Sequence, residues 1–207
     1  RALSSAASDV YKRQIGDVSG KGIPASLLMA STISLLRTLS SGSNSPSQIA
    51  YSLNNSIAER NEADMFVTFF IGMLDLRTGV MKYCNAGHTP PVLTSPDRTV
   101  AFFEMQSDLP LGILKNHDYQ EYTYRFVSGS GILLYTDGVT DAENEKNEFY
   151  TRERLLEIVT QNQELHPREF IRSIINDIQS HIKSHELSDD LSMLTFIYGS
   201  EWNIKKS

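Results

Sequence analysis

Three aspartates sit in settings that ordinary surface aspartates lack. Asp17 lies among glycines in "IGDVSGKGIPASLLMA" (Ile15 to Ala30), after a short strand-like run and before an apolar helix. Asp137 ends the apolar strand "GILLYTDG", and Asp189, with Asp190, opens the last strand in "SDDLSML". Strand ends are rigid, and loops at one edge of a sheet can gather carboxylates from distant parts of a chain. Carboxylates so gathered repel one another unless a cation neutralises them. Hard oxygen ligands, with one cysteine and five histidines in the whole chain, select Mg2+ or Mn2+ over Zn2+ or Cu2+. Taken singly, each aspartate is better read as a turn or cap residue, positions that Asp favours anyway. Only the combination points to a metal.

Other polar residues near these motifs divide between chemistry and scaffolding. Lys21 could contact phosphate, but "SGKG" is not a Walker A loop, because Gly22 stands where a Ser or Thr is required. The glycines are better explained as a sharp turn that lets the backbone approach a metal. His88 in "NAGHTPP" has the chemistry of a general acid, although a hydrogen bond fixing the turn before Pro90 and Pro91 is the simpler role. Asp141 and Glu143 follow Asp137 and could hydrogen-bond to its ligating groups, with plain solvation as the default. His117, His166, His181 and His185 show no ligand spacing.

The elements that must position these residues follow from periodicity. Pro24 suits a first helical turn, and Leu27, Leu28, Ile33, Leu35, Leu36 and Leu39 give that helix a broad apolar face. "SSGSNSPS" is a loop, and Ser45-Pro46 opens a second helix that runs to about Arg60. "MFVTFFIGMLDL" and "VMKYCNAG" read as a hairpin around "RTG". Shorter strands follow at "PVLTS", "VAFFEM" and "YTYRFV", then the strand "GILLYTDG". Two amphipathic helices are expected near 151–161 and 167–184, before a last strand at "LSMLTFIYG". Helices grouped between runs of strands predict an α+β sandwich rather than an alternating α/β sheet.

Composition narrows the function classes. At 207 residues, 40% hydrophobic and 21% charged, the chain has the make-up of one sizeable globular domain. A net charge of −6 argues against nucleic acid as a partner. The lone Cys84 forbids an internal disulfide and fits a reducing, cytoplasmic setting. No run of about 18 apolar residues is evident, so no membrane segment is expected. Asp9–Gln14, "DVYKRQ", is similar to the in-frame translation of a transposase adapter. Residues 1–14 are therefore read as an adapter artefact or linker and set apart from the fold. The domain is then assigned to 15–200, followed by a polar tail at 201–207.

In order along the chain, "GDVSGKGIPASLLMA", "NAGHTPP", "LPLGI", "YTDGVTDAEN" and "DDLSML" resemble the motifs of bacterial PP2C-like (PPM) phosphatases of the SpoIIE/RsbU type. The resemblance covers about 15–198. It implies an αββα sandwich of two antiparallel sheets flanked by helices, and two Mn2+ or Mg2+ ions. The implied reaction is hydrolysis of phosphoserine or phosphothreonine on a protein, commonly a STAS-domain anti-sigma factor antagonist. Asp17 matches the aspartate that bridges both metals, the Val18 carbonyl a further ligand, Asp137 the ligand of the "DG" motif and Asp189 the last ligand. Ser19, Gly20, Asp190, Asp141 and His88 are expected around them. Cations held this way activate water for in-line attack on phosphorus without a covalent phosphoenzyme.

Two departures qualify what carries over. The family's upstream motif G-G-D-x-[YF]-D has no counterpart here, so the domain is expected to be N-terminally truncated and the chain weakly active or inactive. Many eukaryotic-type relatives carry a histidine two residues after the bridging aspartate, where this chain has Ser19. The resemblance also implies an upstream sensor or regulatory domain, with the helices after Pro24 and Pro46 coupling it to the site. The rival reading is a catalytically impaired module of the same fold that docks a regulatory partner. A nucleotide-binding protein using "SGKG" is a distant third.

Overall fold

A computed structural model describes residues 10–40, 44–59, 65–185, 187 and 189–199. The expected tail at 201–207 and the first nine residues of the segment set apart at 1–14 lie outside them. The chain forms two compact units: one runs to Gly87 and resumes over Ser107–Phe126, and the other comprises His88–Gln106 and the chain from Val127. Each unit contains one four-stranded antiparallel sheet and two helices, which is the α+β content the sequence predicted.

The sheet of the first unit has the order β1-β2-β3-β6, with β1 at Val10–Val18, β2 at Val67–Asp75, β3 at Val80–Ala86 and β6 at Tyr122–Arg125. β2 is built from β-branched and aromatic residues, and Val67, Phe69, Phe70 and Ile71 are buried. The β2–β3 turn is closed by Asp75, whose Oδ1 accepts from the Arg77 amide at 2.9 Å and the Thr78 amide at 3.3 Å. α1 spans Ile23–Ser40 and α2 spans Pro46–Ala58. A capping box starts α2: Ser45 Oγ accepts from the Gln48 amide, and Gln48 Oε1 accepts from the Ser45 amide, satisfying two otherwise orphaned donors. Ile49, Leu53 and Ile57, four residues apart, bury one α2 stripe against Val67, Phe69, Ile71, Cys84 and Leu111.

α1 behaves differently. Only Ala25, Thr32 and Leu36 are buried along it, whereas Ile23 and Leu27 are 78% and 64% exposed. Its 18 residues are long and apolar enough, by length and composition alone, to cross a membrane. Serines and threonines interrupt its apolar run, so the sequence shows no continuous apolar segment there.

The second unit carries the order β5-β4-β7-β8, with β4 at Val92–Thr94, β5 at Val100–Phe102, β7 at Gly131–Tyr135 and β8 at Met193–Ile197. Every residue of β7 is buried, as its continuous apolar run predicts. α3 (Arg152–Asn162) contributes Leu155 and Val159, and α4 (Pro167–Ile182) contributes Phe170, Ile174, Ile178 and Ile182, to a core with Leu133, Tyr135 and Tyr150.

Two boundaries differ from the sequence reading. β1 begins at Val10, five residues before the predicted edge of the domain, and pairs without interruption from Val10 opposite Asp75 to Val18 opposite Val67. Ladder pairing uses main-chain groups alone, so the exposed, non-alternating side chains of 10–14 left no periodic signal. The stretch predicted as one domain, 15–200, runs through both compact units, and no linker of distinctive composition marks the crossings between them.

Candidate metal-binding aspartates

Asp17 belongs to the first unit and lies inside β1, opposite Thr68, rather than after the strand. Val18 follows opposite Val67, and Ser19 closes the ladder twice. The Ser19 amide donates to the Phe66 carbonyl at 2.9 Å, and Ser19 Oγ accepts from the Phe66 amide at 2.8 Å. The chain then turns through Gly20, whose φ of 83° is a left-handed conformation that L side chains rarely adopt. The Gly22 carbonyl accepts from the Ser26 amide at 3.1 Å to start α1. Lys21 is exposed on this turn.

Asp137, Asp189, Asp190, Asp141 and His88 all belong to the second unit. β7 ends at Tyr135, and Asp137 opens a 3-10 turn over Asp137–Val139. Its main-chain carbonyl accepts from the Asp141 amide at 2.8 Å and from Thr140 Oγ1 at 3.1 Å. Asp189 and Asp190 lie on the approach to β8, which begins only at Met193. Thr136 stitches that approach to the end of β7. Its amide donates to the Ser192 carbonyl at 3.0 Å, while its Oγ1 donates to the Asp190 carbonyl at 3.2 Å and accepts from the Ser192 amide at 3.1 Å. Between the segments sits Gly138. A Cβ there would lie 2.5 Å from the Asp190 carbonyl oxygen and 3.4 Å from Asp189 Cβ. Only a residue without a side chain permits this approach, which brings Asp137 and Asp189 to neighbouring backbone.

The surrounding groups are ordered from the main chain. Asp141 Oδ1 accepts from Thr140 Oγ1 at 3.0 Å, and Asp189 Oδ1 accepts from the Asp190 amide at 2.8 Å. His88 is 3% exposed. Burial pushes its imidazole down to about 4, against the upward pull of a hydrogen bond to the Tyr135 carbonyl and the charge of Asp137. It is therefore a neutral, main-chain-bound side chain at the end of β7. Thr89 Oγ1 donates to the same carbonyl at 2.7 Å. Thr136, Thr140 and Gly138 were not singled out by sequence reasoning. The cues are the Asp137-Gly138 pair, which also reads as a plain turn, and the repeated Thr in "YTDGVT", which spacing alone does not separate from one.

Among the described residues, no group of three or more His, Cys, Asp or Glu side chains gathers as a metal-holding set. The structure brings Asp137 together with Asp189 and leaves Asp17 in the first unit. The donors fit a hard cation all the same: both carboxylates of the pair offer only oxygen, and the Gly138 cradle leaves their backbones space to converge.

Fold and motifs together define a PP2C-like domain. The chain belongs to the Stage II sporulation protein E (SpoIIE) family, whose model matches residues 9–197. It is 29% identical over 181 residues to the phosphoserine phosphatase RsbU of Bacillus subtilis, covering 87% of this chain and 53% of that protein. It is 27% identical over 208 residues to protein IcfG of Synechocystis, covering 87% of this chain and 32% of IcfG. The chain thus spans about half or less of the length of these relatives. Among solved structures, the SiaA-PP2C domain of Pseudomonas aeruginosa superposes with a TM-score of 0.77 at 16% identity, covering 91% of this chain and 79% of that one. The PP2C phosphatase domain of SpoIIE from Bacillus subtilis gives 0.75 at 19% identity, over 90% of this chain and 54% of that one. RsbX, solved in complex with magnesium, gives 0.66 at 18% identity, over 90% and 80%. At these identities the structures speak to the fold.

Proposed function

We propose that this chain is the catalytic domain of a divalent-metal-dependent protein serine/threonine phosphatase. The observation that carries the reading is the SpoIIE-family match across residues 9–197, with its "DG" aspartate, Asp137, stitched beside Asp189 through Thr136 and Gly138. Asp137 and Asp189 would hold a cation through their carboxylate oxygens; Asp17, through its carboxylate, and Val18, through its main-chain carbonyl, are the candidate ligands of the first unit. Two Mn2+ or Mg2+ ions, when bound, supply positive charge to the phosphoryl oxygens and activate water for in-line attack. The chain's own part is to fix the ligands. Thr140 and the Asp141 amide hold the Asp137 carbonyl, and the buried neutral His88 secures the end of β7.

The substrate in this reading is a phosphorylated protein, specifically a STAS-domain anti-sigma factor antagonist. Support for it is the likeness to RsbU, named a phosphoserine phosphatase. The proposed setting is the cytoplasm, with an upstream sensor domain, and the lone buried thiol of Cys84 suits reducing surroundings. Mn2+-dependent hydrolysis of p-nitrophenyl phosphate, with Asp17→Asn and Asp137→Asn as controls, tests the assignment. Mn2+ binding followed by electron paramagnetic resonance provides a readout independent of turnover. Bound Mn2+ and turnover that both disappear in Asp137→Asn support a catalytic domain. Partner binding with neither metal nor turnover would instead favour the non-catalytic docking module.

A further inference from the structure

β7 and β8 pair in register up to Tyr135 opposite Met193, which makes Thr136 and Ser192 the next opposed pair. Thr136 keeps the extended backbone of a strand, with φ −86° and ψ 157°. Opposed residues of a hydrogen-bonded antiparallel pair exchange two main-chain bonds. Here the main chains make only one of the two. The Thr136 amide donates to the Ser192 carbonyl at 3.0 Å, but the Thr136 carbonyl accepts from the Val139 amide, also at 3.0 Å. That bond closes the 3-10 turn over Asp137–Val139. The Ser192 amide donates instead to Thr136 Oγ1 at 3.1 Å. A side-chain hydroxyl thus stands in for the main-chain carbonyl, so the strand can end and the Asp137 turn can begin at a single residue.

The same hydroxyl reaches the segment that carries Asp189. A threonine hydroxyl has one proton to give and lone pairs to accept with, and Thr136 Oγ1 uses both, donating to the Asp190 carbonyl at 3.2 Å. That carbonyl is the one packed over Gly138, and the Asp190 amide holds Asp189 Oδ1 at 2.8 Å. Thr136 is 2% exposed, so water has little access to take over a lost bond. Its carbonyl therefore fixes the turn of Asp137, while its amide and hydroxyl fix the approach of Asp189. Valine has the same branched shape and would leave the Ser192 amide and the Asp190 carbonyl without their partner. Serine would keep both bonds.

We propose that Thr136 is a positioning residue: its hydroxyl sets the spacing of Asp137 and Asp189, and through it the affinity of the pair for a divalent cation. This role rests on the metal-dependent reading of the aspartates, whereas its effect on the main chain is measurable without metal. In the metal-free 207-residue chain, hydrogen–deuterium exchange of the Ser192 amide should rise about fivefold or more in Thr136→Val, the scale of one lost hydrogen bond. Thr136→Ser should leave it unchanged. Mn2+ titration followed by electron paramagnetic resonance should then show binding weakened about tenfold or more in Thr136→Val, as when a group orienting a metal ligand is removed. Thr136→Ser should bind like the wild type, and Thr136→Cys, with its weak donor and acceptor, should fall between them. Ile174→Ala, which opens a cavity in the fully buried α4 core, should lower stability and leave Mn2+ affinity as it is. A wild type that binds no Mn2+, or binds it equally in Asp137→Asn, overturns the metal reading and the role of Thr136 together. Binding lost in Asp137→Asn but kept in Thr136→Val and Thr136→Cys overturns the positioning role alone. So does an equal loss in Ile174→Ala, or a Ser192 amide that exchanges no faster in Thr136→Val.

Discussion

Asn54 has no exposed surface, yet its amide is satisfied on three sides. Oδ1 accepts from the Gly112 amide at 2.9 Å and the Tyr119 hydroxyl at 3.2 Å, and Nδ2 donates to the Leu114 carbonyl at 2.9 Å. These bonds anchor the "LPLGI" loop to α2. Asn54→Ala leaves buried partners unpaired, so urea denaturation should show a loss of about 2–3 kcal/mol. Gly138→Ala drives a methyl into the Asp190 carbonyl. It should cost about 1–3 kcal/mol, as overpacking does, and weaken Mn2+ binding in a metal titration; a fully stable variant with unchanged binding would remove the cradle from the account. Cys84 is fully buried, and its burial, reinforced by the charges of Asp108 and Glu121, pushes the thiol up to about 12. Alkylation of Cys84 in the native chain should therefore proceed no faster than the protein opens, since the thiolate is the nucleophile.

At the scale of elements, α3 and α4 are joined by the Arg154–Asp177 pair. The Arg154 hydrogen bonds, opposed in part by burial and aided by Tyr150, hold the Asp177 carboxyl below the usual carboxylate range. A carboxyl depressed in the folded state stabilises it above the unfolded pKa, and that contribution is lost as pH falls through the folded value. Asp177→Asn should thus lower the urea midpoint at neutral pH and flatten its decline on acidification. Most elements were legible because they carry a period. β7 is an unbroken apolar run, α4 repeats Phe170, Ile174, Ile178 and Ile182, and Ser45-Pro46 announces α2. The first half of β1 was not legible, since Val10–Gln14 faces solvent at four of five positions and pairs through backbone alone. The strand ends were read long for a related reason. Asp137 and Asp189 continue the local sequence pattern but lie in a 3-10 turn and an irregular approach held by Thr136.

For the whole molecule, the order of helices and strands announced the α+β class but not the two units. The chain leaves the first unit after Gly87, returns at Ser107 and leaves again after Phe126, and none of these crossings is marked by a linker. The SpoIIE-family match nevertheless runs from 9 to 197, so the candidate ligands were legible as motifs, whereas the threonines and glycine that fix two of them were not. If Asp137 serves a metal-dependent hydrolytic site, p-nitrophenyl phosphate turnover with and without Mn2+ in wild type and Asp137→Asn will report it. Mn2+ is expected to stimulate turnover in the wild type, and Asp137→Asn to lower it by about a hundredfold or more, the scale of a lost metal ligand. Equal turnover in the two proteins, with or without Mn2+, would contradict it.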